Sequence, residues 1–529
     1  MLPRAAPAPA RRRGADALPG LRVTATAADA PSRRDRTWRA AAAAASGLLL
    51  ALALPPASFG LLALVALVPL LWAWRGATSR NAAISGLAFG IVYFGVVFEW
   101  SRYFGLVAIV PFVLANTAYV VAAGALLGAF TKRGVRSPFL VAAIWVVFEG
   151  LRARWPLGGL PWGEVGLTLH DQGWGRALAT WGGIPLASFL VVALNGWLLE
   201  LGIAAVKRRR VLVPAGAVLG IVVVIVAASA LRPEPTVTGK IRFALLQGND
   251  QNRDLTIDEQ VNDYLTKAHF ALAAQLEGKY DLVVFPESAL ERDPERSPVL
   301  RQQIVALADR LDATVVVNAR TAAPDDGLYN ANLVYEPGGK LQGQYAKRHL
   351  VPFGEYVPLR GYIDWIPGVS HALDQVSFDY TAGHGRTQFT AGGHPFETAI
   401  CFESAFPSVS RDAVRDGAEL LVVSTNNRSY RRSGLSAQHV ALSQMRAAET
   451  GRPVLHAAIS GISAVIEPDG SVRERTALFE KTITDGTIAT TSGTTPFVRF
   501  GDWVLAACLV GVLVTAVVAQ RRWSRQHRP

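Results

Sequence analysis

Only two cysteines occur in the 529 residues. Cys508 lies in an apolar run near the C-terminus and reads as a small helix- or lipid-facing residue. Cys401, in Thr398-Ala-Ile-Cys-Phe-Glu403, ends a short apolar stretch. A lone cysteine is ordinarily a buried core thiol. This one is followed at once by Phe402 and Glu403, where a core strand would carry another aliphatic residue. A thiol attacks as the thiolate, so a nucleophilic cysteine needs a base or a positive neighbour. Glu287 follows Val283-Val-Phe-Pro286, and Lys347 lies in Gln344-Tyr-Ala-Lys-Arg-His-Leu-Val-Pro-Phe-Gly-Glu-Tyr-Val-Pro358, dense in titratable, aromatic and turn-forming residues. Singly, a Glu after a Pro is usually a helix N-terminal charge, and a Lys beside an Arg is usually solvated. Together they supply base, cation and nucleophile at the ends of three strand-like runs. His349 and His439 read as structural hydrogen-bonders, and Asn427-Arg-Ser429 as a chance glycosylation sequon.

The segments that must position these groups are Ile241–Gln247, Leu282–Phe285, Thr314–Asn318, Ala399–Phe402 and Leu420–Ser424, short and mostly β-branched. Helical patterns at 256–277, 297–311 and 436–450 fall between them. Strands alternating with helices predict an α/β fold with its sheet covered on its faces, and ligands at strand ends. There is no internal repeat, no phosphate-binding Gly-rich loop and no metal-type Cys/His cluster.

The rest of the chain is of another kind. Half of the residues are apolar and only 18% charged, against roughly a quarter charged in soluble proteins. Apolar runs near 40–54, 59–74, 82–99, 104–130, 138–151, 184–206, 211–231 and 503–520 predict about eight membrane spans, several at or below the roughly 20 residues a bilayer core requires. The net charge of +12 is concentrated in loops and tails. Loops 75–80, 131–136 and 207–210 hold 9 Lys/Arg, and the alternate loops 55–58, 101–103 and 151–176 hold 4. By the positive-inside rule both termini are expected in the cytoplasm and residues 232–500 outside it. The basic surplus then follows from topology, and nucleic-acid binding is not expected. Arg33-Arg34 before an apolar run matches a twin-arginine export signal, but the further runs favour an uncleaved first span. The expected organisation is a basic disordered cytoplasmic tail (1–37), a membrane domain of about seven spans (38–231), an extracytoplasmic catalytic domain (232–500), a C-terminal transmembrane helix (501–520) and a basic cytoplasmic tail (521–529).

Phe285-Pro-Glu-Ser288, Lys347-Arg-His-Leu-Val-Pro-Phe-Gly-Glu355 and Ile400-Cys-Phe-Glu403 resemble the three catalytic signatures of the nitrilase, or carbon–nitrogen hydrolase, superfamily. With the preceding spans, the chain resembles the apolipoprotein N-acyltransferase family over nearly everything past residue 40. That likeness includes Gly159-Leu-Pro-Trp162, Gln247-Gly-Asn249, Gln438-His439, Met445-Arg-Ala-Ala-Glu-Thr-Gly-Arg452 and Phe497-Val-Arg-Phe-Gly-Asp502. It implies a polytopic helical membrane domain joined to an extracytoplasmic nitrilase-like α-β-β-α sandwich in the bacterial cytoplasmic membrane.

The resemblance further implies a two-step acyl transfer from a phospholipid donor to a diacylglyceryl-modified apolipoprotein acceptor. Cys401 would be the nucleophile, Glu287 the general base and Lys347 the electrostatic stabiliser of the oxyanion. Glu355, Glu403 and Phe402 would be supporting residues, with no cofactor and no metal. Three departures stand out. Phe402 occupies a position commonly Tyr, no Trp follows the Gln-Gly-Asn motif (the domain's only Trp being Trp365), and Thr425-Asn-Asn-Arg-Ser-Tyr-Arg431 is polar and cationic where aromatics are usual. Arg428 and Tyr430 are therefore either contacts to an anionic headgroup or an ordinary surface loop. The competing functions are a membrane-tethered amidase using water as acceptor and a scaffold or transporter with an inactive nitrilase-like domain.

Overall fold

The computed structural model describes residues 33–324, 326–358, 360–363 and 378–526. The expected N-terminal tail lies outside the described residues up to position 32. Its last five positions are a correction: they are already helical in α1 (Arg33–Leu52). The charges there support a helix, because Asp35 pairs with Arg39 one turn on at 3.1 Å and Arg39 reaches the Ala73 carbonyl at 2.9 Å. Trp365 and residues 527–529 also lie outside the described residues.

The membrane part continues with α2 (Val68–Trp74), α3 (Ser79–Val97), α4 (Leu106–Lys132), α5 (Pro138–Arg152), α6 (Gly173–Val206) and α7 (Leu212–Ala230). Against the eight expected spans, five helices among the described residues are long and apolar enough to cross a bilayer: α3, α4, α6, α7 and the C-terminal helix Trp503–Gln526. The segment Gly60–Trp74 and α5 are too short, and α1 carries too much charge. Helix α6 is broken at Gly182 and Gly183, the latter at φ +68°. Only glycine fits there, since a Cβ on Gly183 would stand 2.6 Å from the Phe497 ring.

The second part holds two six-stranded mixed sheets. Strands β1 (Thr236–Gln247), β2 (Leu282–Val284), β3 (Thr314–Ala322), β4 (Leu328–Tyr335) and β5 (Leu341–Ala346) form one sheet, with the returning strand β12 (Thr482–Ser492) outside β1. Strands β6 (Gln388–Ala391), β7 (His394–Ile400), β8 (Leu420–Thr425), β9 (Val454–Ala458), β10 (Ala464–Ile466) and β11 (Val472–Arg475) form the other. In the centres of the sheets, β1–β2–β3 and β7–β8–β9 run parallel.

Alternation along β1 explains the layering. Ile241, Phe243 and Leu245 face the second sheet in one core, with Phe396, Ile400, Val422 and Leu455. Ala244 and Leu246 face away, onto helices α8 (Tyr264–Ala273) and α9 (Pro298–Leu311). The outer face of the second sheet is covered by α10 (Pro407–Arg415) and α11 (Leu435–Thr450). The result is the α-β-β-α sandwich. The layer containing α11 is pressed against the membrane helices, and one apolar cluster runs without a break from Leu50, Phe89 and Leu178 to Leu442, Met445 and Val423.

Candidate active site

Three parallel or near-edge strands deliver the three groups. Glu287 lies just past β2, Lys347 is the first residue after β5, and Cys401 is the first after β7. Cys401 does not continue its strand: it opens a 3₁₀ turn, Cys401–Ala405, with φ +53°. A non-glycine residue in this left-handed region costs on the order of 1–2 kcal/mol, so the surroundings must hold it there.

Glu403 does much of that holding. It is fully buried and accepts the Ile400 N–H at 2.9 Å, the Arg348 N–H at 2.7 Å, the His349 N–H at 3.1 Å and the Tyr345 hydroxyl at 2.9 Å. One carboxylate thus fastens the turn carrying Cys401 to the loop carrying Lys347. Burial raises the pKa of Glu403, and the backbone donors and Lys347 work against that rise. From the other side, His439 lies with Nε2 2.9 Å from the Cys401 carbonyl and 2.8 Å from the Ser404 hydroxyl. Burial pushes its pKa down to about 4, so it is a neutral brace. His349 stacks on Phe406 at 4.1 Å.

Lys347 is almost completely buried, and its ammonium donates to Glu355 Oε1 at 2.8 Å and Glu287 Oε1 at 3.3 Å. Burial opposes its charge, but Glu287, Glu355 and Cys401 outweigh it and hold the lysine pKa well above its ordinary value. The carboxylates are themselves positioned. Asn330 Nδ2 donates to Glu287 Oε1 at 2.7 Å and Glu355 Oε1 at 3.0 Å, the Asn426 N–H donates to Glu287 Oε2 at 2.7 Å, and the Val351 N–H donates to Glu355 Oε2 at 2.8 Å.

Cys401 is partly exposed, yet enough protein surrounds it that burial pushes the thiol up to about 12. The Glu287 charge adds to this rise. Lys347, the Thr425 hydroxyl 3.4 Å from Sγ and the Asn426 N–H oppose it. The resting group is a neutral thiol beside a carboxylate, an ammonium and a backbone N–H. Chemically, the carboxylate is able to take the thiol proton as the sulfur attacks, while the ammonium and N–H stabilise the developing oxyanion.

All the sequence-predicted groups come together, in two roles of geometry. Glu287, Lys347, Glu355 and Cys401 form one charged cluster, whereas Glu403 braces the backbone. Phe402 packs edge-on against Phe406 at 5.0 Å, on the side of the core shared with the membrane helices. Tyr430 is no ordinary surface residue, for its ring meets Trp100 at 5.3 Å and Phe104 at 5.4 Å. The sequence reading missed the asparagine ladder behind the site, in which Asn318 Nδ2 donates to both Asn330 and Asn332 at 2.9 and 3.0 Å. Its available signal was an Asn at alternate positions of β4, since asparagine is depleted in strands.

The joint with the membrane part is polar and buried. Gln438 Oε1 accepts the indole N–H of Trp162 at 2.8 Å and of Trp100 at 3.3 Å, and its amide donates to the carbonyls of Val97 and Pro55. At the break in α6, Glu449 accepts the freed Ile184 N–H at 3.0 Å and pairs with Arg446 at 2.9 Å. At the exposed edge of the joint, Asp502 meets Arg154 at 2.7 Å.

Comparison with known proteins matches residues 46–197 to the apolipoprotein N-acyltransferase N-terminal domain and residues 242–495 to the carbon–nitrogen hydrolase domain. An apolipoprotein N-acyltransferase of Methylococcus capsulatus is 29% identical, with 91% of this chain and 96% of that protein covered. One from Mycolicibacterium smegmatis is 31% identical, with 93% and 87% covered. Among solved structures, a carbon–nitrogen hydrolase superfamily protein from Xanthomonas campestris aligns with 51% of this chain and 96% of its own, at 21% identity and a TM-score of 0.37. The chain belongs to the apolipoprotein N-acyltransferase family and is an acyltransferase with membrane helices.

Proposed function

We propose that this family member moves an acyl chain from a membrane phospholipid to the α-amino group of the N-terminal S-diacylglyceryl-cysteine of an apolipoprotein, through a thioester on Cys401. The observation that carries the reading is the buried cluster in which Lys347 bridges Glu287 and Glu355 beside the Cys401 thiol. In the first step Glu287 accepts the thiol proton as Sγ bonds to the ester carbonyl carbon. The oxyanion forms against Lys347 Nζ and the Asn426 N–H. When the C–O bond breaks, Glu287 returns the proton to the departing lysophospholipid oxygen. In the second step the acceptor amine attacks the thioester, Glu287 takes the amine proton, and the sulfur leaves and recovers it.

The same charge count favours this route over a free thiolate. With Glu287 and Glu355 ionised and Lys347 protonated the cluster carries one net negative charge, and a proton passing from sulfur to Glu287 leaves that total unchanged. We further propose that residues 232–500 form an extracytoplasmic catalytic domain, with both termini in the cytoplasm. The uneven loop charges support this orientation. It sets the nucleophile at a bilayer surface, where neither lipid substrate has to be extracted at about 0.8 kcal/mol per CH₂.

The test is intact-mass measurement of the full chain in detergent after exposure to phospholipid alone, then to a diacylglyceryl peptide. The expected result is one acyl mass increment, absent in Cys401→Ala and present in Cys508→Ala, followed by its transfer to the peptide amine. Release of free fatty acid without N-acyl peptide would make water the acceptor, and wild-type activity in Cys401→Ala would remove the nucleophile from the scheme.

A further inference from the structure

The bundle has a second feature of note at its far end. Helix α4 starts beside the Tyr430 contact and ends at Lys132; its 27 residues span about 40 Å. There, between the ends of α2, α4 and α6 and the starts of α5 and α7, lies a cavity of about 380 Å³. That volume is within the range of about 300–1,000 Å³ typical of small-ligand sites. Nothing in the acyl-transfer reading uses it.

Its lining is two-toned. Leu71, Leu140, Leu199 and Ile203 make an apolar floor. The rim carries Arg75, Arg136, Arg209 and Arg210 against a single carboxylate, Glu200. Arg75 consumes that carboxylate in a two-pronged pair at 2.7 and 2.9 Å. Arg136, Arg209 and Arg210 have no ion-pair partner among the described residues. Ser137, also in the lining, stands at the N-cap of α5 with its hydroxyl making no capping bond, so the positive end of a 15-residue helix faces the same space. Three unpaired guanidiniums, a free hydroxyl and a helix N-terminus above an apolar floor form a receptor for an anion attached to hydrocarbon.

We infer that this cavity seats the headgroup of an anionic phospholipid, a non-reacting lipid distinct from the acyl donor at Cys401. The phosphate sits among Arg136, Arg209 and Arg210, and the acyl chains run out past Leu199 and Ile203 toward the exposed apolar face of α7, where Leu212 and Val213 are largely uncovered. A zwitterionic headgroup places a cation against the same arginines and is disfavoured. A free phosphate ion satisfies the arginines but leaves the apolar floor open. The inference rests on helices lying across a bilayer and not on the chemistry proposed at the sulfur.

The experiment uses the full chain carrying Cys401→Ala, so that no probe is consumed by acylation, in phosphatidylcholine nanodiscs doped with phosphatidylglycerol bearing a photoactivatable acyl chain. Cross-linked peptides are expected within 127–141 or 196–214. Labelling should fall about tenfold or more in R136Q/R209Q/R210Q, and excess unlabelled phosphatidylglycerol should compete where phosphatidylcholine and inorganic phosphate do not. Equal labelling by a phosphatidylcholine probe, no labelling of these peptides, or no change in the triple variant overturns the proposal. Displacement by inorganic phosphate alone would make it a free-anion site and overturn the lipid assignment. Circular dichroism of the triple variant separates lost binding from lost fold.

Discussion

Glu287→Gln should move two properties of Cys401 in opposite directions. The Glu287 carboxylate raises the thiol pKa, so its neutralisation makes the thiol more acidic; it is also the proposed base, so its loss stops acylation. In the wild type the thiol stands at about 12 against an ordinary 9.0, which lowers the thiolate fraction at neutral pH about a thousandfold. A more basic thiolate is intrinsically some 16- to 32-fold more nucleophilic over that interval, so alkylation should run about 30- to 60-fold slower than for an ordinary thiol. Iodoacetamide labelling in a Cys508→Ala background, followed by intact mass between pH 6 and 10, reports this directly. The wild-type rate should climb about tenfold per pH unit with no plateau below pH 10. In Glu287→Gln the rate at pH 8 should rise several-fold, since a close carboxylate shifts such a titration by about a factor of ten or more. Acylation by phospholipid should fall by about 10²- to 10⁴-fold in the same variant. If alkylation and acylation both fall, or if the wild-type profile levels off near pH 7, then a preformed thiolate drives the reaction and the base assignment is wrong.

Two further outcomes follow from the bracing groups. Glu403→Gln replaces one acceptor oxygen by an NH₂, which then meets either the Ile400 N–H, bound at Oε2, or the Arg348 and His349 N–H groups, bound at Oε1. The expected loss is about 1–3 kcal/mol of stability and most of kcat, with the Cys401 alkylation profile unmoved; wild-type kcat would show that the brace is dispensable. Stability should also fall on acidification. His269 and His439 are held near pKa 4 by burial, below the ordinary 6.5, and His349 and His456 are lowered in the same direction. The unfolded chain takes up these protons from about pH 6.5 downward while the folded chain does not, so stability present above 6.5 is lost toward pH 4, by about 3 kcal/mol for each of the first two. Glu164, Glu397 and Glu449, raised by burial to about 7, and Glu403, raised in the same direction, act oppositely and offset part of this loss. A melting temperature that rises from pH 6.5 to 4.5 would show that the carboxylates dominate.

Glu287 and Cys401 were legible in the sequence because each follows a short apolar strand, and strand ends are where parallel sheets present side chains. Lys347, behind the polar edge strand β5, was legible only from the titratable, aromatic and turn-forming residues around it, and the five core strands were marked by β-branched runs. The Asn318–Asn330–Asn332 ladder and the bracing role of Glu403 were not legible, since both depend on which strands lie side by side. Residues 256–277, read as one helical pattern, divide at Asp263 with φ +55°, a conformation that periodicity does not register. Spans were countable only roughly, because Gly60–Trp74 and α5 are apolar yet shorter than a bilayer-crossing helix. Arg33–Thr37, read as tail, joins the helix through local contacts, Asp35 to Arg39 and the Thr37 hydroxyl to the Arg33 carbonyl, which apolar periodicity does not register.

The unbroken apolar cluster from Phe89 and Leu178 to Leu442 and Met445 makes the α11 face a shared wall. A secreted fragment trimmed to residues 232–500 would bare that wall to water, together with the stranded amide of Gln438 and the ion pair of Arg446. Expression of such a fragment is a route to aggregate, and the natural minimal unit for purification, crystallisation or inhibitor screening is the whole chain in its lipid surroundings.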